Sequence, residues 1–160
     1  MCIRDRFNVL QLQLEKQFHI GKHWNWYVEA YIQQSTANAP VNLPLLFTRN
    51  RFAFEGTFFK TLNLSTGLEF RYHTPYKADG FSPILGQFFL QNDTIINNLP
   101  DIAAYLQFRI RSLSLFIRAE NLNTFQVGST TGFLNNNLAT PLQPLPGYFL
   151  RVGIYWGFVN

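Results

Sequence analysis

Apolar and polar residues alternate with a period of two along most of the chain. In the first segment Leu10, Leu12, Leu14 and Phe18 fall on one side and Gln11, Gln13, Glu15 and Gln17 on the other. The second sets Trp24, Trp26, Val28, Ala30 and Ile32 against Asn25, Tyr27, Glu29, Tyr31 and Gln33. The third sets Phe52, Phe54, Gly56 and Phe58 against Arg51, Ala53, Glu55 and Thr57. The fourth is the cleanest, with Leu62, Leu64, Thr66, Leu68, Phe70 and Tyr72 opposite Asn63, Ser65, Gly67, Glu69, Arg71 and His73. The fifth opposes Ile102, Ala104, Leu106, Phe108 and Ile110 to Tyr105, Gln107, Arg109 and Arg111. In the sixth, Leu113, Leu115, Ile117 and Ala119 oppose Ser114, Arg118 and Glu120, with Phe116 intruding on the polar side. The last opposes Tyr148, Leu150, Val152, Ile154, Trp156 and Phe158 to Arg151, Gly153, Tyr155 and Gly157. Successive side chains of an extended strand point to opposite faces, so each segment predicts a strand with one apolar and one polar face. Pro100-Asp101 is also a fair helix start. The alternation runs unbroken to Ile110, which favours a strand there.

The links alternate as well. Short turns are predicted near His19–His23, Phe59–Thr61 and Arg111–Ser112, and long polar or Pro/Gly-rich links at Ser35–Pro44, Pro75–Pro100 and Asn121–Gly147. Short links on one side and long links on the other suit an up-and-down membrane barrel. A sandwich usually mixes them. The predicted fold is therefore all-β: a partial antiparallel up-and-down transmembrane β-barrel of about seven strands, with no linker dividing it.

Alternation alone leaves open which face points outward. A soluble lipocalin-like barrel or sandwich binding module buries the apolar face, whereas a membrane barrel turns it to lipid. Charged residues make up only 14% of the 160, against roughly 25% in an ordinary soluble domain, while aromatics reach 17%. The polar faces are rich in Gln, Asn, Ser, Gly, Tyr and Arg and nearly free of Lys, unlike a solvated surface. Trp24, Trp26, Tyr72, Tyr148, Trp156 and Phe158 gather at the ends of apolar faces, where amphipathic rings meet a membrane interface. The strands are also longer than the roughly 5–6 residues usual in soluble sheets. These features favour lipid. No apolar run approaches the roughly 18 residues of a spanning helix, which leaves strands as the means of crossing.

Residues 1–6, Met1-Cys2-Ile3-Arg4-Asp5-Arg6, resemble a translated adapter remnant and are set apart as non-native; residues 7–160 then read as the C-terminal part of a longer barrel. The single cysteine, Cys2, permits no intrachain disulfide. Near the other end, Arg151, Gly153, Trp156 and Phe158 resemble the signal that outer-membrane barrels present to the barrel-assembly machinery.

The stretch from Gly67 through Glu69-Phe70-Arg71-Tyr72-His73-Thr74-Pro75-Tyr76 to Gly80-Phe81-Ser82-Pro83, and on through Gly86-Gln87-Phe88-Phe89, resembles the porins of Bacteroidota outer membranes. Pro100-Asp101-Ile102 and Ala119-Glu120-Asn121-Leu122-Asn123 sit where that family carries its next strand start and an acidic Glu-Asn-like pair. The resemblance covers roughly residues 7–160. It implies the outer membrane of a Gram-negative bacterium, lipid and assembly machinery as partners, and passive diffusion of small hydrophilic solutes without a cofactor. The last strand is also similar to those of TonB-dependent transporters, although no plug domain or energy-coupling segment is visible.

The candidate pore-lining residues are Glu29, Glu55, Glu69, Arg71, Arg109, Arg118, Glu120 and Arg151. Together they would set the field for passing solutes. The competing reading is a neutralising Glu–Arg ladder between strands that stiffens the wall and selects nothing. With Leu68 on the lipid face and Glu69 on the other, Leu68→Arg is expected to impair insertion and Glu69→Arg to be tolerated in folding. Chemistry has little support. His73, Ser82 and Asp79 lie in one region without a nucleophile elbow. His19, His23 and His73 lack metal-ligand spacing. The net charge of +4 is carried by arginines scattered along strands, so nucleic acid is not an expected partner.

Overall fold

The computed structural model describes residues 8–35, 39–124 and 137–158. Residues 1–6, set apart above, lie outside them. Eleven strands follow in order: β1 (Val9–Ile20), β2 (Trp24–Ser35), β3 (Leu46–Phe58), β4 (Leu62–His73), β5 (Gly80–Ser82), β6 (Gln87–Phe89), β7 (Asp101–Ile110), β8 (Leu113–Glu120), β9 (Leu138–Thr140), β10 (Gln143–Pro144) and β11 (Phe149–Trp156). One seven-stranded sheet has the order β1-β2-β3-β4-β7-β8-β11, with every neighbouring pair antiparallel. The strands β5–β6 and β9–β10 form two small hairpins within the long links. The region around Pro100 extends into β7, not a helix.

Register keeps the two faces separate across the whole sheet. Leu12 pairs Ile32, Phe52 pairs Leu68, and Leu68 pairs Ala104 on one face. Glu29 pairs Arg49, Arg51 pairs Glu69, and Tyr105 pairs Arg118 on the other. Phe116 does stand on the polar face, paired with Gly153; a Cβ on Gly153 would lie 2.2 Å from its ring, so glycine makes the space the ring occupies.

All three tight turns lie at one end of the sheet, at Gly21–His23, Phe59–Thr61 and Arg111–Ser112. Phe59 and Lys60 both have positive φ, 49° and 64°, as a primed hairpin turn requires. Neither is glycine, so the conformation costs on the order of 1–2 kcal/mol per residue, offset by the continuous pairing of β3 with β4. Trp24, Trp26, Trp156 and Phe158 cluster near this end. Trp26 stacks on Phe52 at 5.2 Å and Trp156 on Phe158 at 4.9 Å. Tyr72 and Tyr148 lie near the opposite end, where the long links run.

The long links are tied together there. Tyr76 and Ile96 exchange backbone hydrogen bonds, and Ile96 and Ala78 are buried. Asn137, 2% exposed, accepts from Leu99 N at 2.9 Å and donates to Leu99 O at 3.0 Å and to Asp101 Oδ1 at 2.7 Å. Asn98 does the same in return, donating to Leu138 O and accepting from Leu138 N, each at 2.8 Å. Each asparagine amide thus stands in for a peptide group of the facing link.

The sheet is open. The outer edges of β1 and β11 carry no strand among the described residues. Both strands run from the long-link end toward the tight-turn end. They therefore point the same way, and pairing them directly would make a parallel contact.

Candidate functional site: the polar face of the sheet

The face that a water-soluble sheet would bury is here the exposed one. Leu12 is 65% exposed, Leu68 42% and Ile154 68%, whereas Ala53, Glu69 and Ala103 on the polar face are between 0% and 2% exposed. Several polar side chains on the apolar face bond back into the sheet, whereas Lys16 of β1 lies 6.0 Å from the Phe18 ring. Thr66 Oγ1 donates to Tyr105 O at 2.9 Å, Thr48 Oγ1 to Glu29 O at 3.1 Å, Asn50 Nδ2 to Thr48 Oγ1 at 3.0 Å, and Trp26 Nε1 to Asn50 Oδ1 at 3.3 Å. Internal satisfaction of this kind is what a surface without water demands.

On the polar face six ion pairs make one connected network. Glu69 of β4 is its centre. Its Oε2 accepts from Arg49 at 2.8 Å, and its Oε1 accepts from Arg118 at 2.8 Å and lies 3.4 Å from Arg71 Nε. Arg49 continues to Glu29 of β2 at 3.8 Å, and Arg118 to Glu120 at 2.8 Å. Glu120 then holds Arg151 of β11 at 3.2 Å. The network crosses from β2 to β11 while β7 contributes no charge to it. Register explains the gap: the β7 residue facing Glu69 is Ala103, and its methyl group leaves room for Arg118 of β8 to reach across to β4. The network lines an open recess of about 710 Å³.

Nearer the tight turns lies a second group around Glu55. Its carboxylate accepts from Tyr27 Oη at 2.8 Å, Asn25 Nδ2 at 2.9 Å and Ser65 Oγ at 3.3 Å. Arg51 does not join the ion pairs. Its guanidinium lies over the Tyr27 ring at 4.2 Å. Arg109 folds back toward its turn, donating from Nε to Arg111 O at 3.2 Å.

Of the residues singled out in the sequence, Glu29, Glu69, Arg71, Arg118, Glu120 and Arg151 are brought into the one network. Glu55 and Arg109 stand apart from it. Arg49 and Arg51 belong to the same face and were not among the candidates: Arg51 stood on the polar side of the third segment, and Arg49 lay just outside it because the segment was started at Arg51. Carrying the alternation back through Phe47 would have included Arg49. His73 contacts Thr74 O and Asn98, and Asp79 receives Asn42; no hydrogen bond joins His73, Asp79 and Ser82 among the described residues. In the last strand, Arg151 pairs with Glu120, Gly153 makes room for Phe116, and Trp156 stacks on Phe158.

Among known proteins, a family model described as "Putative porin" matches residues 3–160. No curated protein and no solved structure matches the chain.

Proposed function

The chain belongs to this porin family, and from that premise we propose that it forms part of the wall of an outer-membrane β-barrel that passes small hydrophilic solutes by diffusion. The observation that carries the reading is the inversion of the two faces, with aliphatic and aromatic side chains exposed on one and the carboxylates Glu69 and Glu120 enclosed on the other. That arrangement is costly in water and favourable in lipid. Strand length supports it. The 12 residues of β4 extend roughly 40 Å at about 3.3 Å each, or roughly 30 Å at a tilt near 40°, close to the thickness of a hydrocarbon core.

On this reading the tight turns face the periplasm and the long links face outward. The last strand is the segment offered to the assembly machinery. An odd number of further antiparallel strands between β11 and β1 completes the barrel, since the two edges run in the same direction. The polar network stiffens the wall, and its paired charges leave Arg51 and Arg109 as cations of this face outside the ion pairs.

The test is conductance of the complete, bilayer-inserted barrel that contains this chain, under a salt gradient. The expected result is an ohmic pore with weak anion preference, shifted toward cations by Arg109→Gln. Folded, inserted protein that never conducts would overturn the diffusion reading. An open pore whose reversal potential ignores Arg109→Gln would remove that residue from the path.

A further inference from the structure

Beside the ion-pair network the polar face holds a smaller recess of about 190 Å³, lined in part by Arg49, Arg51, Arg118, Ser65, Tyr105 and Gln107. Two features set it apart. The Tyr105 hydroxyl is enclosed and has no hydrogen-bond partner among the described residues. Ser65, on the neighbouring strand, already gives its proton to Glu55. Arg51 is the second feature. It is only half-buried, it is fixed by its stack on Tyr27, and it makes no ion pair or hydrogen bond among the described residues. Tyr27 is itself held by its bond to Glu55, so the guanidinium plane is positioned before anything binds. The stack occupies one face of that plane and leaves its N–H edges available.

Charge points the same way. Three arginines and one carboxylate, Glu69, line the recess. Arg49 and Arg118 are paired with Glu69, Glu29 and Glu120, while Arg51 is in no ion pair among the described residues. An enclosed hydroxyl without a partner next to an unpaired guanidinium is an incomplete hydrogen-bonding set, and such sets call for an acceptor.

We propose that the recess binds one small oxyanion, a carboxylate or a phosphate group. Arg51 donates from its N–H edge, Tyr105 donates its O–H, and the Gln107 amide faces the remaining oxygens. This deepens the porin reading by naming anionic solutes as the class that pauses at the wall, and it rests on that reading for its biological meaning. The binding itself does not depend on conduction. Glu69 has a further part here. By neutralising Arg49 and Arg118 it keeps the recess from becoming so cationic that an anion would be held rather than passed on.

The test is calorimetric titration of the complete barrel that contains this chain, folded in detergent micelles, with inorganic phosphate and separately with acetate. Saturable binding of at least one is expected, and comparing the two distinguishes a phosphate site from a carboxylate site. Arg51→Gln should weaken it by about tenfold or more, since a charge-assisted pair is lost. Tyr105→Phe removes only the hydroxyl, keeps the ring in place, and should weaken binding by about threefold to tenfold. Lys60→Gln, which removes the same single charge at a distant turn, should leave binding unchanged. Absence of saturable binding for both anions, or equal affinity in wild type and Tyr105→Phe, would overturn the proposal. A protein that conducts without binding refutes the site and spares the porin reading; one that binds without conducting does the reverse.

Discussion

On the face carrying Glu29, Arg49 and Glu69, side chains hold one another through a chain of ion pairs running from β2 to β11. On the face carrying Leu12, Leu68 and Ile154 they stand free of any opposing layer. The same strands and backbone hydrogen bonds support both faces, so the difference lies in what each side chain needs from its surroundings. Charged groups leaving bulk water need partners. Apolar groups facing lipid need only contact with something equally apolar. Order on the first face is therefore specific, residue by residue, and order on the second is generic. A substitution on the polar face should fail for lack of a particular partner, and one on the apolar face only if it introduces polarity.

Glu69→Arg probes the polar face most severely. It removes the carboxylate that accepts from Arg49 and Arg118 and lies 3.4 Å from Arg71, and adds a fourth cation among them. Breaking a buried pair costs about 3–5 kcal/mol, and each new like-charge contact near 4 Å adds up to about 4 kcal/mol at an effective dielectric of 20. The expected outcome is a barrel that does not reach the heat-resistant compact form on an unheated gel, whereas Glu69→Gln, which keeps a neutral acceptor, folds with reduced resistance to urea. The sequence-based expectation that Glu69→Arg would be tolerated is thus revised by the structure. The alternation marks Glu69 as polar-facing but does not reveal that it is the enclosed centre of the network.

Leu68→Arg, one residue earlier, tests the other face. Near the bilayer midplane it should cost roughly 2–4 kcal/mol, read as a lower urea midpoint in vesicles, while Leu68→Phe should be nearly neutral. Damage from Leu68→Phe as large as from Leu68→Arg would mean that the apolar face packs against protein.

A smaller effect is expected outside the sheet. Asn137→Ala leaves Leu99 N, Leu99 O and Asp101 without their partner at the crossing of the long links. A loss of about 1–3 kcal/mol, confined to these links, should show as faster proteolysis within 74–100 with the urea midpoint of the sheet unchanged.

The seven main strands, their faces and the alternation of short and long links were readable in the sequence because a period of two is a local signal. The intrusion of Phe116 was readable for the same reason. Partners were not. That Arg118 reaches Glu69 across β7 depends on register and on the small size of Ala103, and neither follows from the face a residue occupies. The two small hairpins lack alternation altogether, and the Asn98–Asn137 crossing joins residues far apart in the chain. Arg49 lay within reach of the pattern and was lost at a segment boundary.

The central claim is that one face of the sheet meets lipid and the other meets water. Nitroxide labels placed singly along β4, from Leu62 to His73, in a bilayer-reconstituted and otherwise cysteine-free protein, test it directly. Collision rates with oxygen should peak at positions 62, 64, 66, 68 and 70, and those with a water-soluble nickel chelate at 63, 65 and 67, out of phase. Rates that vary in phase, or nickel access at 64 and 68 with oxygen access at 63 and 65, would contradict the account.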